Sequence, residues 1–238
     1  MDEDEGHARL ACMPPNLAQV LNTVAHEIRT PLAVSQGYLK LYLDGRLTNA
    51  DDQRRAFQQT REALGTLATL CNDMSKVSAL AEHASPALTA RVIAREFVAH
   101  VQKAHEVEGT EWSGDGGAAS IAAQSATDLA HAVAIVAKAA FDEAREAPHA
   151  VRVTGGLGEG SLGEGGSELV MLAGTPDAIP ALAAGPDAAD ARQVDFTRGG
   201  KGLRLIWAAF VLQRHHVQTW THQGHRASVG FRFPLVQA

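Results

Sequence analysis

VAHEIRTPLAV, residues 24–34, sets a histidine, two charged residues and a proline inside what otherwise reads as one long helix. Proline in a helix interior costs roughly 3 kcal/mol, so the fold of this region turns on whether the helix runs through it. From Asn16 to Asp44 the apolar positions are Leu17, Val20, Leu21, Val24, Ile28, Leu32, Leu39 and Leu43. Their steps of mostly three and four predict a single helix with one buried stripe. His26 lies two residues from both Val24 and Ile28, about 200° around the helix, and so is expected to face solvent. Thr30 shares its face. The Glu27 carboxylate is adjacent and can reach the imidazole. A neutral imidazole is a competent nucleophile near neutral pH, and a neighbouring carboxylate holds its tautomer and can take its proton. Thr30 can position a water. Pro31 removes one backbone hydrogen bond and is expected to bend the helix just past the site.

Working outward, DGRLTNADD supplies turn residues Asp44, Gly45, Asn49 and Asp51. Beyond it Phe57, Leu64 and Cys71 recur every seven residues, with Thr60, Leu67, Met74 and Ala81 interleaved. That heptad predicts a second long helix ending near His83. Two long helices with a short connector form an antiparallel hairpin. One hairpin cannot cover both apolar stripes, whereas two can, as a four-helix bundle. A homodimer is therefore expected.

The composition agrees. The 238 residues are 45% hydrophobic with a net charge of -6 and no basic stripe, which argues for a packed core and against a nucleic-acid partner. The opening MDEDEG reads as a short solvated acidic tail and resembles no signal peptide. No apolar run approaches the ~20 residues of a membrane span. Cys12 and Cys71 are the only cysteines and belong to no metal-type cluster, so a reducing, cytoplasmic setting is expected.

After EHASPAL the pattern changes to an α/β unit. Val92 to His105 reads as a helix, GTEW and ASIAA as weak strands, and Ser125 to Arg145 as an alanine-rich helix. HAVRVTG and ELVMLAG read as strands, with Gly155 to Gly166 between them as a flexible hairpin tip. Thr175 to Gly200 is a long segment rich in Ala, Pro, Asp and Gly. Lys201 to Arg214 reads as a helix, and VQTWT and ASVGFRF as closing strands. Trp207, Trp220 and Phe231 are expected in the core. His215, His216, His222 and His225 match no zinc spacing, so no metal site is expected.

The string HEIRTPL, with GYLKLYLDG and the second helix, resembles the phosphoacceptor hairpin of two-component histidine kinases over roughly residues 16 to 83. The resemblance implies that His26 is the phosphorylated histidine, Glu27 its acid/base partner, and Glu27 with Thr30 a motif for dephosphorylating a response regulator. Arg29 and Pro31 are the basic and kink residues of the same box. The implied docking surface for a receiver domain takes in Arg29, Pro31, Leu39 and Tyr42, although bundle packing explains Leu39 and Tyr42 equally well.

The later half resembles the family's Bergerat-type ATP-binding sandwich in its element order, best in GKGLRLIWAAFVLQRHHVQTWTHQGHRASVGFRFPL. Gly200 and Gly202 fall on the first two glycines of the final glycine box, and Arg204 replaces the third. Two other boxes fail. Lys138 stands where an asparagine would hold Mg²⁺, and a protonated lysine repels a metal. GTPDAIP, residues 174–180, puts Gly174 in place of the aspartate that accepts from adenine, with Asp177 out of register. Lys138 and Lys201 read as surface lysines rather than compensating phosphate partners.

The expected organisation is thus a flexible acidic segment 1–15, a dimerising phosphoacceptor hairpin 16–84 and a degenerate ATPase-like α/β sandwich 85–238. The expected function is phosphotransfer: His26 exchanges a phosphoryl group with the aspartate of a response-regulator receiver domain, with no cofactor and no productive use of ATP. The alternative is an atypical histidine kinase that uses ATP and Mg²⁺ to phosphorylate His26, with a response-regulator phosphatase activity as a further possible output.

Overall fold

The computed structural model describes residues 15–82, 90–105, 110–113, 120–144, 150–156, 168–197 and 202–236. The acidic segment 1–14, the glycine-rich tip 157–167, and Gly200 and Lys201 lie outside them. Two compact units divide the chain, one of residues 15–82 with 197–207 and one of 83–196 with 208–238.

In the first unit, helix α1 (Leu17–Leu43) runs through Pro31 as one helix of 27 residues. Asn16 starts it with a capping box: its Oδ1 accepts from the Gln19 N–H at 3.0 Å, and Gln19 Oε1 accepts from the Asn16 N–H at 2.8 Å. Gly45 ends it at φ 66°, a left-handed conformation that lets the next N–H groups turn back onto the Leu41 and Tyr42 carbonyls. Helix α2 (Ala50–Glu82) is capped by Asn49, whose Oδ1 accepts from the Asp52 N–H at 2.7 Å.

The hairpin buries small residues. Val24, Pro31 and Ser35 on α1 and Ala56, Ala63 and Val77 on α2 are buried. Leu70 is half-buried, so the inner seam of α2 is itself a heptad, 56, 63, 70, 77. The expected heptad of Phe57, Leu64 and Cys71 is the neighbouring seam, and it faces outward. On α1 the expected single stripe also splits: Val24 is buried, while Leu17, Leu21, Leu32, Leu39 and Leu43 are exposed.

The second unit is an antiparallel sheet with helices. Its elements in order are β1 (Ala90–Ile93), α3 (Ala94–His105), β2 (Thr110–Ser113), β3 (Ser120–Ala123), α4 (Ala126–Phe141), β4 (Ala150–Gly156), β5 (Glu168–Gly174), α5 (Ile179–Leu182), β6 (Ala191–Gln193), α6 (Gly202–Arg214, of which residues 202–207 belong to the first unit), β7 (Gln218–His222) and β8 (His225–Val236). The sheet order is β1-β3-β8-β5-β4-β2, with β7 on β8 and β6 on β7, and among the described residues only the β2–β4 pair is parallel. Val92 and Ile93, expected at the start of a helix, instead form β1, in antiparallel register with Ile121 and Ser120 of β3, a pairing between distant segments that helical spacing cannot show.

Alternation along β5 and β8 serves two layers. Leu169, Met171 and Ala173 pair with Phe233, Phe231 and Val229, all buried, and Phe97 of α3 meets Phe233 edge-on at 5.1 Å. On the opposite face Val170 and Leu172 pack with Ile179, Leu182, Ala191 and Trp220. The backbone of Gly230 lies so close under the Trp220 indole that any Cβ would overlap it.

The long segment after β5, rich in Ala, Pro, Asp and Gly, is bound down over its described residues 175–197. Its strand β6 pairs with β7. His222 Nε2 meets Asp190 at 2.6 Å, Arg232 meets Asp187 at 3.3 Å, and Trp220 Nε1 donates to the Leu182 carbonyl at 3.2 Å. The apolar members Ile179, Leu182 and Ala191 are too far apart in sequence to show a period, which is why their packing was not legible there. Among the described residues, no helix is long and apolar enough to cross a membrane.

Candidate functional site

His26 sits on the exposed face of α1, with Arg29 and Thr30 exposed beside it and Glu27 half-buried. Val24 and Pro31, turned about 200° and 140° away at 100° per residue, anchor the opposite face of α1 in the hairpin. Pro31 has no N–H to give the Glu27 carbonyl, so the helix loosens by one hydrogen bond directly after His26. Of the expected docking residues, Pro31 is buried and Arg29 is exposed. Leu39 and Tyr42 are exposed, and Tyr42 packs on Phe57 of α2 with ring centroids 5.1 Å apart.

The Glu27 carboxylate has a second neighbourhood in the same unit. Its Oε2 accepts from the Leu203 N–H at 3.4 Å, at the first turn of α6. Gly202 has φ 45°, and a Cβ there would overlap the carboxylate. Arg204 Nε lies 3.6 Å from Asp73 of α2, which also meets Lys76 at 3.4 Å. Burial pushes the Glu27 carboxyl above its usual range. The Leu203 N–H, His26 and Arg204 pull it down, while Asp73 pushes it up. A cleft of ≈ 390 Å³ lies beside these groups, lined by Gln19, Thr23, His26, Glu27, Thr197 and Gly202 among others. A nucleophile exposed next to a carboxylate of raised proton affinity is an arrangement suited to taking a proton during group transfer.

Asp73, Leu203 and Arg204 were not legible as parts of this site. They lie far from Glu27 in sequence, and Arg204 stood out only as a departure from glycine. Of the expected nucleotide positions, Gly202 lines this same cleft, Gly200 and Lys201 lie outside the described residues, and Lys138, Gly174 and Asp177 fall in the α/β unit. Lys138 is exposed on the last turn of α4 and pairs with Asp142 at 3.7 Å, a surface i,i+4 pair. Gly174 is the last residue of β5, opposite Ser228 of β8. A Cβ on Gly174 would stand 2.6 Å from Ser228 Cβ and 3.0 Å from its Cα, so no side chain fits. Asp177 is exposed in the turn closed by the Ala178 N–H on the Thr175 carbonyl. Among the described residues no group of three or more His, Cys, Asp or Glu is placed to hold a metal.

Residues 16–81 match the His Kinase A (phospho-acceptor) domain. No curated protein matches the chain. Among solved structures the chain is similar to the Acinetobacter baumannii histidine kinase AdeS, at 15% identity and TM-score 0.49, over 89% of this chain and 98% of that one. It is also similar to full-length ShkA in complex with AMPPNP, at 19% identity and TM-score 0.44, over 92% of this chain and 46% of that one. A histidine kinase from Burkholderia phymatum STM815 is similar at 13% identity and TM-score 0.33, over 90% and 98% of the two chains.

Proposed function

We propose, for a chain that carries a His Kinase A phospho-acceptor domain at residues 16–81, that it is a two-component phosphotransfer protein working without ATP. A nitrogen lone pair of His26 attacks the phosphorus of a receiver domain's aspartyl phosphate. The N–P bond forms, the P–O bond breaks and the aspartate carboxylate leaves. The proton on the other ring nitrogen passes to Glu27. The reverse sequence loads a second receiver. Thr30, one turn on from His26, together with Glu27 suits orienting a water for hydrolysis of a receiver's aspartyl phosphate.

Two observations support the choice against ATP. The position that would hold the adenine acceptor is Gly174, and Ser228 occupies the space a side chain needs. The position that would hold the metal ligand is Lys138, a surface cation already paired with Asp142. Neither group offers what a Mg²⁺-triphosphate requires. The homodimer is supported by Leu21, Leu32, Phe57 and Leu64, which are exposed on the hairpin and are apolar surface that a second hairpin would cover.

The test uses the full chain and labelled phosphate. Candidate receiver domains, first phosphorylated with labelled acetyl phosphate, are expected to pass an acid-labile label to the wild-type chain and none to His26→Ala. With labelled ATP and Mg²⁺ alone, no label is expected. Label from ATP at His26 overturns the reading in favour of an active atypical kinase. Receiver binding without any transfer overturns it in favour of a sequestering module.

A further inference from the structure

In its first turn, a helix has N–H groups without intrahelical partners, and they carry partial positive charge. At α6 one of these, the Leu203 N–H, is taken by the Glu27 carboxylate, 176 residues away in sequence. The fit is specific. Gly202 has no side chain where the carboxylate lies, and its φ of 45° belongs to the left-handed region. Arg204, one residue further, meets Asp73, which fixes the same turn to α2 at a second point. The carboxylate placed to receive the His26 proton is thus already engaged by a backbone donor.

We infer that the first turn of α6, Gly202-Leu203-Arg204, is a brake on His26: it seats the Glu27 carboxylate on the Leu203 N–H, and phosphoryl transfer at His26 runs faster when that seat is vacated. The inference rests on the phosphotransfer reading for its consequence but not for the seat itself. Among the described residues, the charged and titratable groups that act on Glu27 are His26, Asp73 and Arg204. When His26 attacks phosphorus its ring becomes a cation, and Glu27 relieves it by accepting the ring proton. A carboxylate already accepting from Leu203 has one lone-pair direction fewer for that proton and is held in a fixed orientation. Gly202 and Leu203 act through Glu27, so they are positioning residues.

The experiment follows two signals in the full chain. The first is the Leu203 amide in ¹H–¹⁵N NMR spectra across pH 3 to 7, roughly spanning the carboxylate range. It is expected to titrate with Glu27, above the usual carboxylate value, and to lose that titration in Glu27→Gln. The second is the rate of phosphohistidine formation with phosphoramidate, in which the His26 nitrogen displaces ammonia from phosphorus. Gly202→Ala is expected to raise that rate roughly fivefold, a fraction of the about 10²–10⁴ that a positioned base supplies. It should also shift the pH profile toward the ordinary carboxylate value. If the alanine disturbs folding at this φ, Arg204→Ala tests the same turn and is expected to give a smaller gain in the same direction. A Leu203 amide that does not follow Glu27, with phosphohistidine still formed, overturns the brake alone. An intact Leu203 titration with no phosphohistidine overturns the phosphotransfer reading, and the brake with it. A rate that falls or holds still in both variants overturns the brake.

Discussion

At the residue scale, Gly174 and His215 show what one position decides. Gly174 looks in the sequence like a lost aspartate that a single substitution restores. The structure closes that route, since Ser228 Cα stands 3.0 Å from where a Cβ must go. Gly174→Asp is therefore expected to lower the stability of the α/β unit by about 1–3 kcal/mol, the usual cost of overpacking, without creating nucleotide affinity. Urea unfolding checks the first part; a variant as stable as wild type would show that β8 yields. His215 is buried, its Nδ1 donating to the Val211 carbonyl at 2.7 Å and its Nε2 accepting from the Gln124 N–H at 3.0 Å. That pattern fixes the neutral ring. Burial is the chief reason its pKa is lowered; Arg214 and His216 add to this, while the Val211 carbonyl and Asp128 oppose it. The sign follows: below the usual histidine value of about 6.5 the unfolded chain takes up a proton the folded one resists, so stability falls as pH drops from there toward the folded value. Urea midpoints are expected to decline over that window in wild type and to decline less in His215→Gln. None of this was legible beforehand. A histidine at a helix end reads as a dipole partner, and only the 91-residue link to Gln124 reveals the buried role.

At the scale of elements, the hairpin shows what periodicity reveals and what it hides. The two long helices, the turn between them and the exposed face of His26 follow from spacing and turn chemistry alone. The seam of α2 does not. Large residues at 57 and 64 drew the heptad, yet the inner seam is Ala56, Ala63, Leu70 and Val77, offset by one residue or about 100°. Small side chains let α1 and α2 approach closely, and small side chains carry little hydrophobic signal. The offset separates two substitutions only one residue apart. Ala63→Glu puts a carboxylate into the buried seam and is expected to unfold the hairpin, read as lost helical circular dichroism. Leu64→Glu puts one on the exposed seam, where Leu64 is 54% exposed, and is expected to keep the helix while abolishing the proposed self-association. Sedimentation equilibrium decides it. A Leu64→Glu chain that still dimerises would move the dimer interface off this seam.

For the whole molecule, the two halves of the sequence were legible to different degrees for one reason. The phosphoacceptor half depends on a local string, in which His26, Glu27, Thr30 and Pro31 lie within two turns. The α/β half depends on positions far apart, such as Gly174 against Ser228 or Asp187 against Arg232, whose meaning appears only when strands pair. On the proposed reading, that half does not respond to nucleotide. Any ligand bound only by the folded state stabilises it by mass action. If ATP with Mg²⁺ bound with a Kd of about 10 µM, then about 1 mM would add roughly 2.7 kcal/mol. For a chain of this size that raises the melting temperature by about 5–10 °C, well above the noise of a thermal melt. With Gly174 blocked and Lys138 paired at the surface, no such shift is expected, with ATP or with a nonhydrolysable analogue. The control is inorganic phosphate with Mg²⁺, which reports any nonspecific ionic effect. A rise of several degrees with ATP beyond that control would mean that the α/β half holds nucleotide by contacts other than these two positions. The source of phosphate for His26 would then have to be sought inside the chain rather than on a receiver domain.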